Sequence, residues 1–216
     1  EANFIKQNFK SHFARVNPKI AIPEETETFS KSGFTLSTFA NHNYEKGIET
    51  TLNAFKLVKR EAHDAKLIIA GSLSGKYKSI ADAIGGVECV GFLNENEKSR
   101  ILFESDIFIL PSIAESLGIA TIEAHSHGVP TINAFCSGSM QIVKHGYNGF
   151  LVSFQDYLLT YKYIMSLYND RKLLERMKKS ARESALGRND EIEGYSGGGF
   201  GAERQDKQMK SFLELL

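Results

Sequence analysis

Short apolar runs alternate with amphipathic stretches along almost the whole chain, and few folds can satisfy that alternation. Phe34 to Phe39, Leu67 to Gly71, Val87 to Val90, Ile107 to Pro111, Pro130 to Asn133 and Phe150 to Val152 read as strands, with Ile20 to Ile22 as a first short one. Residues 46–61 place Ile48, Leu52, Phe55 and Val58 on one helical stripe, and residues 95–104, 118–127, 155–169 and 170–186 read as further helices. Ser137-Gly138-Ser139 reads as a turn. The strands are apolar on both faces, which is the mark of a parallel sheet covered by helices on both sides. The expected class is therefore α/β. In such sheets the ligand crevice lies beyond the carboxyl ends of the strands. That rule points to the loops after Phe39, Gly71, Gly91 and Leu110.

The two ends of the chain stand apart from this core. Residues 1–17 read as an amphipathic helix carrying Phe4, Ile5, Phe9 and Phe13, leading into an extended stretch from Pro18 to Phe29. Residues 187–203 hold Gly187, Gly194, Gly197, Gly198, Gly199 and Gly201, which is linker composition, and residues 204–216 read as a short closing helix. No strand presents the glycine run, so it is not read as a phosphate loop. The core domain is expected to occupy residues 18–186. The chain starts at Glu1, without an initiator methionine, and reads as a piece of a longer protein.

Composition narrows the function classes. With 26 basic and 26 acidic residues among 216, the chain lacks the basic surplus that phosphate backbones demand, and no nucleic-acid partner is expected. No apolar run reaches the roughly 18 residues of a membrane helix, and the start carries no signal-peptide pattern. Cys89 and Cys136 are far apart and have no histidine cluster around them, so both read as thiols in a reducing, cytoplasmic compartment.

The strongest local pattern is Pro111-Ser112-Ile113-Ala114-Glu115-Ser116-Leu117-Gly118, with Glu123-Ala124 beyond it. Glu115 falls in the loop after a buried strand, and Glu123 falls about a turn inside the next helix. A glycine at the helix start lets backbone amides approach a ligand, and the helix N-terminus favours an anion such as a diphosphate. A carboxylate nearby can accept two hydroxyls from a ribose or a sugar. Glutamate near a helix start is also common for its charge alone, so the spacing does not decide between the two readings.

The surroundings of that pattern add to it. Pro111 to Ala124 resembles the paired-glutamate motif of the retaining glycosyltransferases of GT-B architecture, family four, also called glycosyl transferases group one. Glu45-Lys46-Gly47-Ile48 with Leu52 and Ala54-Phe55, then Leu67 to Gly71, Val90-Gly91-Phe92-Leu93, Gly128-Val129-Pro130-Thr131, and Gly146 to Val152 resemble the family's other stations, in order. Leu167-Tyr168-Asn169-Asp170 and the stretch to Arg182 are similar to its penultimate helices, so the likeness covers roughly residues 18–186. It implies a Rossmann-like sheet forming one half of a GT-B fold, with residues 1–17 coming from the interdomain region. It implies no metal and no cofactor, the partner being a nucleotide diphosphate sugar as donor substrate. The acceptor, a glycan, lipid or small molecule, would be held by a half upstream of Glu1.

The resemblance also implies roles. Lys46 would bind the diphosphate as a point charge, and Ser116, Leu117 and Gly118 would offer backbone amides to it. Glu123 would hold the ribose hydroxyls, Gly91 and Phe92 would line the base through backbone groups, and Glu115 would be the catalytic carboxylate facing the sugar. Two positions depart from the pattern. Asn41 stands with Ala40 where relatives carry Gly-Arg, offering the diphosphate a hydrogen bond but no charge; Gln141 stands where they carry glutamate. A nucleotide-sugar epimerase and a non-catalytic nucleotide-binding module are the alternatives.

Three other features carry less. Gly71 to Tyr77 resembles a P-loop but is one residue short and ends in tyrosine, leaving a substrate-side loop after a strand. His125 and His127 are two apart on a helix and face different sides, against a zinc site. Arg171, Lys172, Arg176, Lys178, Lys179 and Arg182 form a basic helix face, read as solvated, with weak peripheral contact at an anionic membrane surface as the alternative.

Overall fold

The computed structural model describes residues 33–41 and 43–186. The expected helices at 1–17 and 204–216, the strand at Ile20 to Ile22 and the linker at 187–203 lie outside them. The described chain builds β1 (Phe34–Phe39), α1 (Ile48–Glu61), β2 (Ala65–Ala70), α2 (Gly75–Ala83), β3 (Val87–Gly91), α3 (Glu95–Glu104) and β4 (Ile107–Leu110). It continues through α4 (Ile119–Ser126), β5 (Thr131–Ala134), α5 (Ser137–Ile142), β6 (Gly149–Val152), α6 (Tyr157–Asn169) and α7 (Arg171–Ala185).

The six strands form one sheet in the order β3-β2-β1-β4-β5-β6, and every neighbouring pair is parallel. Both faces are covered, as the apolar strands require. On one face Leu36, Leu67, Ile69, Ile107, Ile109 and Ile132 pack with Ile48, Leu52, Phe55 and Val58 of α1 and with Ile164 and Leu167 of α6. On the other, Phe108 and Leu110 meet Leu102 of α3 and Ala124 of α4. This is the doubly covered, Rossmann-like α/β sheet that the sequence led us to expect.

Helix starts are fixed by local chemistry. Asn94 and Glu97 close a reciprocal capping box on α3, and Asp156 and Asp170 accept the amides of Leu159 and Leu173 at the starts of α6 and α7. Helix α7 is pinned across the amino edge of the sheet. Lys178 donates to buried Asp106 at 3.0 Å, Arg182 donates to the Ser126 carbonyl, and the Arg171 guanidinium lies over the Phe34 and Tyr168 rings.

Two elements differ from the reading by sequence. Helix α2 was not expected, because it buries only Tyr77 and Ala81 and shows little apolar stripe. Ser137-Gly138-Ser139, read as a turn, opens α5 instead; its small polar residues suit the first turn of a helix entered from extended Cys136.

Candidate active site at the carboxyl edge

The loops after β1, β2, β3 and β4 meet at the carboxyl edge, where the parallel topology places a crevice. They are bonded to one another. The Asn43 side chain donates to the carbonyls of Ala40 and Ser72 at 2.5 and 2.6 Å and accepts the Ser74 amide at 2.7 Å, joining the first two loops. The Gly71 amide donates to the Gly91 carbonyl at 2.6 Å, and the Ile113 amide to the Glu45 carbonyl at 2.9 Å. Glu115 is fixed at its backbone, where its carbonyl accepts the Gly138 amide at 2.8 Å and the Ser137 hydroxyl at 3.3 Å.

Within this frame two lysine–glutamate pairs form. Lys46 Nζ donates to Glu115 Oε1 at 2.5 Å, bridging the loops after β1 and β4, with the Glu115 side chain 12 % exposed. The geometry follows from Gly47, which starts α1 at φ 66° and lies so close to Pro111 that a Cβ would strike the Pro111 carbonyl. The second pair is Lys98 Nζ to Glu123 Oε1 at 2.8 Å, joining α3 to α4. Lys98 also reaches exposed Glu95 at 2.9 Å. Burial opposes the Lys98 charge, yet the bonds to Glu123 and Glu95 outweigh it and raise its pKa.

Gly118 starts α4 at φ 59°, and a Cβ there would come within 2.7 Å of Ile142 Cδ1, so the tight entry into the helix needs glycine. The Thr121 and Ile122 amides donate to the Gly118 carbonyl at 2.9 and 3.1 Å, and the helix start at this edge carries the positive end of the α4 dipole. Ser116 is exposed and Leu117 half-buried just before it. Asn41 is exposed at the end of β1, its Oδ1 in the space that a Cβ on Gly71 would occupy. Gly91 turns at φ 72° and leaves Phe92 75 % exposed. The Gly91 carbonyl is already taken by Gly71.

The expected site residues thus share one edge, and Lys46 and Glu115 touch. Sequence reasoning missed Lys98, Asn43 and the Ser137–Gly138 corner. Lys98 stands four residues after the Asn94 of a capping box, a signal for the helix but not for its charge. A hollow of about 260 Å³ lies nearby between α1 and α6, lined by Tyr44, Gly47, Glu49, Thr50, Asn53 and Phe154, and contains none of the expected ligands.

The two histidines are held apart. His125 is buried against Thr131 Oγ1, while His127 bonds Ser99 and the Glu123 carbonyl. Among the described residues no group of three or more His, Cys, Asp or Glu gathers to hold a metal, and no helix is long and apolar enough to cross a membrane. Of the six basic residues of α7, Arg171, Lys178 and Arg182 make contacts with other parts of the domain, and Lys179 pairs with Glu183 along the helix at 3.9 Å.

The family model described as glycosyl transferases group 1 matches residues 23–184. The chain belongs to this family. Among the relatives of this glycosyl transferase chain, an uncharacterised glycosyltransferase of Methanocaldococcus jannaschii is 33 % identical over 114 residues, covering 50 % of this chain and 29 % of that protein. The N-acetyl-alpha-D-glucosaminyl L-malate synthase of Bacillus anthracis is 27 % identical over 188 residues, covering 84 % and 47 %. The chain therefore spans less than half the length of these relatives. Their names are those of transferases and synthases, which does not favour the epimerase alternative.

Solved structures agree on the fold. The C-terminal domain of a glycosyl transferase group 1 protein of Francisella tularensis superposes with a TM-score of 0.65 at 16 % identity, covering 72 % of this chain and 86 % of that one. The Anabaena protein HepE, solved with UDP-glucose, gives 0.65 at 20 % identity over 85 % of this chain and 49 % of its own. The architecture is that of one half of a GT-B glycosyltransferase.

Proposed function

We propose that this domain binds the nucleotide sugar donor of a retaining glycosyltransferase, and that transfer to an acceptor hydroxyl takes place in the longer protein of which such domains form part. The observation that carries this reading is the Lys46–Glu115 pair, 2.5 Å across the carboxyl edge and beside the N-terminus of α4. A cation and a helix terminus suit a diphosphate, and a carboxylate beside them suits the sugar attached to it. Glu123, the fifth residue of α4, stands about 1.5 Å of rise per residue from the helix start, a separation fitting a ribose linked to the phosphates. Gly91 and Phe92 edge the place left for the base. The co-crystallised UDP-glucose of HepE supports the same class of ligand.

The chemistry then reads as follows. The bond from the anomeric carbon to the diphosphate breaks, the bond to the acceptor oxygen forms on the same face, and the acceptor's hydroxyl proton passes to the departing diphosphate oxygen. Lys46 and the α4 amides take up the charge on the departing diphosphate, and the Glu115 carboxylate stabilises the positive charge that builds on the sugar. Asn41 adds a neutral hydrogen bond only. Calorimetry of this chain with UDP, GDP and ADP tests the donor site, and at least one should bind measurably at millimolar concentration. If none binds, the donor-site assignment fails. Transfer by the full-length protein, with the anomeric configuration of the product read by NMR, tests retention.

A further inference from the structure

Helices α3 and α4 are joined by two adjacent contacts. Lys98 bonds the Glu123 carboxylate at 2.8 Å, and Ser99 bonds the His127 ring at 2.8 Å, so successive residues of one helix hold positions four apart on the other. The Lys98 side chain is only 22 % exposed, and the Glu123 side chain 17 %. The start of α3 is itself locked by the Asn94–Glu97 capping box. Lys98 has three N–H donors; Glu123 takes one through Oε1, and Glu95 engages the ammonium from the solvent side. Among the described residues nothing bonds the second oxygen of Glu123, Oε2, which leaves it to accept from a ligand.

From this arrangement we propose that Lys98 is a positioning residue of the donor site, clamping Glu123 so that its carboxylate meets the ribose diol in one fixed orientation. The proposal rests on the donor-site reading above. A glutamate side chain has three rotatable bonds, and a binding group must be held within about 0.5 Å of its working position by its neighbours. The only ionic partner of Glu123 among the described residues is Lys98. An ammonium bonded to one oxygen restrains the side chain and leaves the other oxygen to accept from the ligand. A ligand with a ribose feels this clamp, and a bare diphosphate does not.

That difference supplies the test, made on the chain as it stands by calorimetry with inorganic pyrophosphate and with the nucleoside diphosphate it binds best. Lys98→Met should weaken the nucleoside diphosphate roughly tenfold and leave pyrophosphate unchanged, and Lys98→Arg should restore most of the loss. In a Glu123→Gln background Lys98→Met should add nothing further. Equal weakening of both ligands would mean that Lys98 supports the fold alone, and tighter nucleotide binding by Lys98→Met would mean that the lysine masks the carboxylate; either result overturns the proposal. If Glu123→Gln leaves the nucleotide untouched, or the wild-type chain binds neither ligand, the donor-site reading itself falls and takes the clamp with it. If Glu123→Gln weakens the nucleotide and Lys98→Met does not, the reading stands and the clamp alone is wrong.

Discussion

At the scale of single residues, the Lys46–Glu115 pair changes what a substitution should do. Read from sequence alone, Glu115 faces the sugar, and its neutralisation should leave a bare nucleotide nearly untouched. In the structure its carboxylate occupies the ammonium expected to hold the diphosphate. A ligand phosphate must draw Lys46 away from that partner. Glu115→Gln removes the competitor, and pyrophosphate should then bind tighter by roughly threefold, the scale of a partly exposed ion pair. Calorimetry at low and high salt checks this, because the gain must shrink as salt rises. Unchanged affinity would show that Lys46 does not reach the phosphates. Position 41 is a lesson of the same kind. The family resemblance implies an arginine there; the chain carries an asparagine, which the structure places exposed above Gly71 at the crevice edge.

At the scale of elements, α4 does two jobs. It presents its N-terminus to the crevice and buries its far end against β5 through His125, which contacts Thr131 Oγ1. Burial lowers the His125 pKa from 6.5 to about 4, opposed weakly by a backbone bond to Asn148. The neutral ring is therefore the folded form. Its contribution to stability is complete above pH 6.5 and is lost as pH falls toward 4, by roughly 3 kcal/mol at the low end. Thermal unfolding of His125→Asn followed from pH 7 to pH 4.5 should show a shallower fall in Tm than the parent chain. Parallel slopes would mean that the ring is charged or exposed when folded.

The elements also show what was legible beforehand. The six strands and the long helices were readable because their apolar runs are unbroken, as in Ile107 to Leu110, or because one stripe is apolar, as in α1. Helix α2 was hidden because a short helix on a sheet edge needs only Tyr77 and Ala81 to pack. The Glu115 and Lys46 stations could be found from their motifs. Their contact could not, since it depends on Gly47 settling against Pro111, 64 positions away along the chain. Lys98 was missed for the same reason: nothing local to residues 95–104 says that a lysine there will meet a glutamate of the following helix.

Taken as a whole, the molecule is a sheet with unequal edges. The amino edge is closed by α7 and its attachment to Asp106. The carboxyl edge carries the loops, yet these are bonded laterally through Asn43, Gly71–Gly91, Ile113–Glu45 and Gly138–Glu115. Loops usually lie at the low end of local stability and open readily. Here the rim forms a continuous hydrogen-bonded collar, so the amides of Gly71, Ile113 and Gly138 should exchange with deuterium nearly as slowly as strand amides, without any ligand. Mass spectrometry of timed exchange would show this, and fast exchange at all three would mean that the collar forms only on binding. A collar already closed has little disorder left to surrender. Ligand capture by this domain should then carry a small entropic cost and proceed in a single kinetic step, its rate set by encounter rather than by rearrangement.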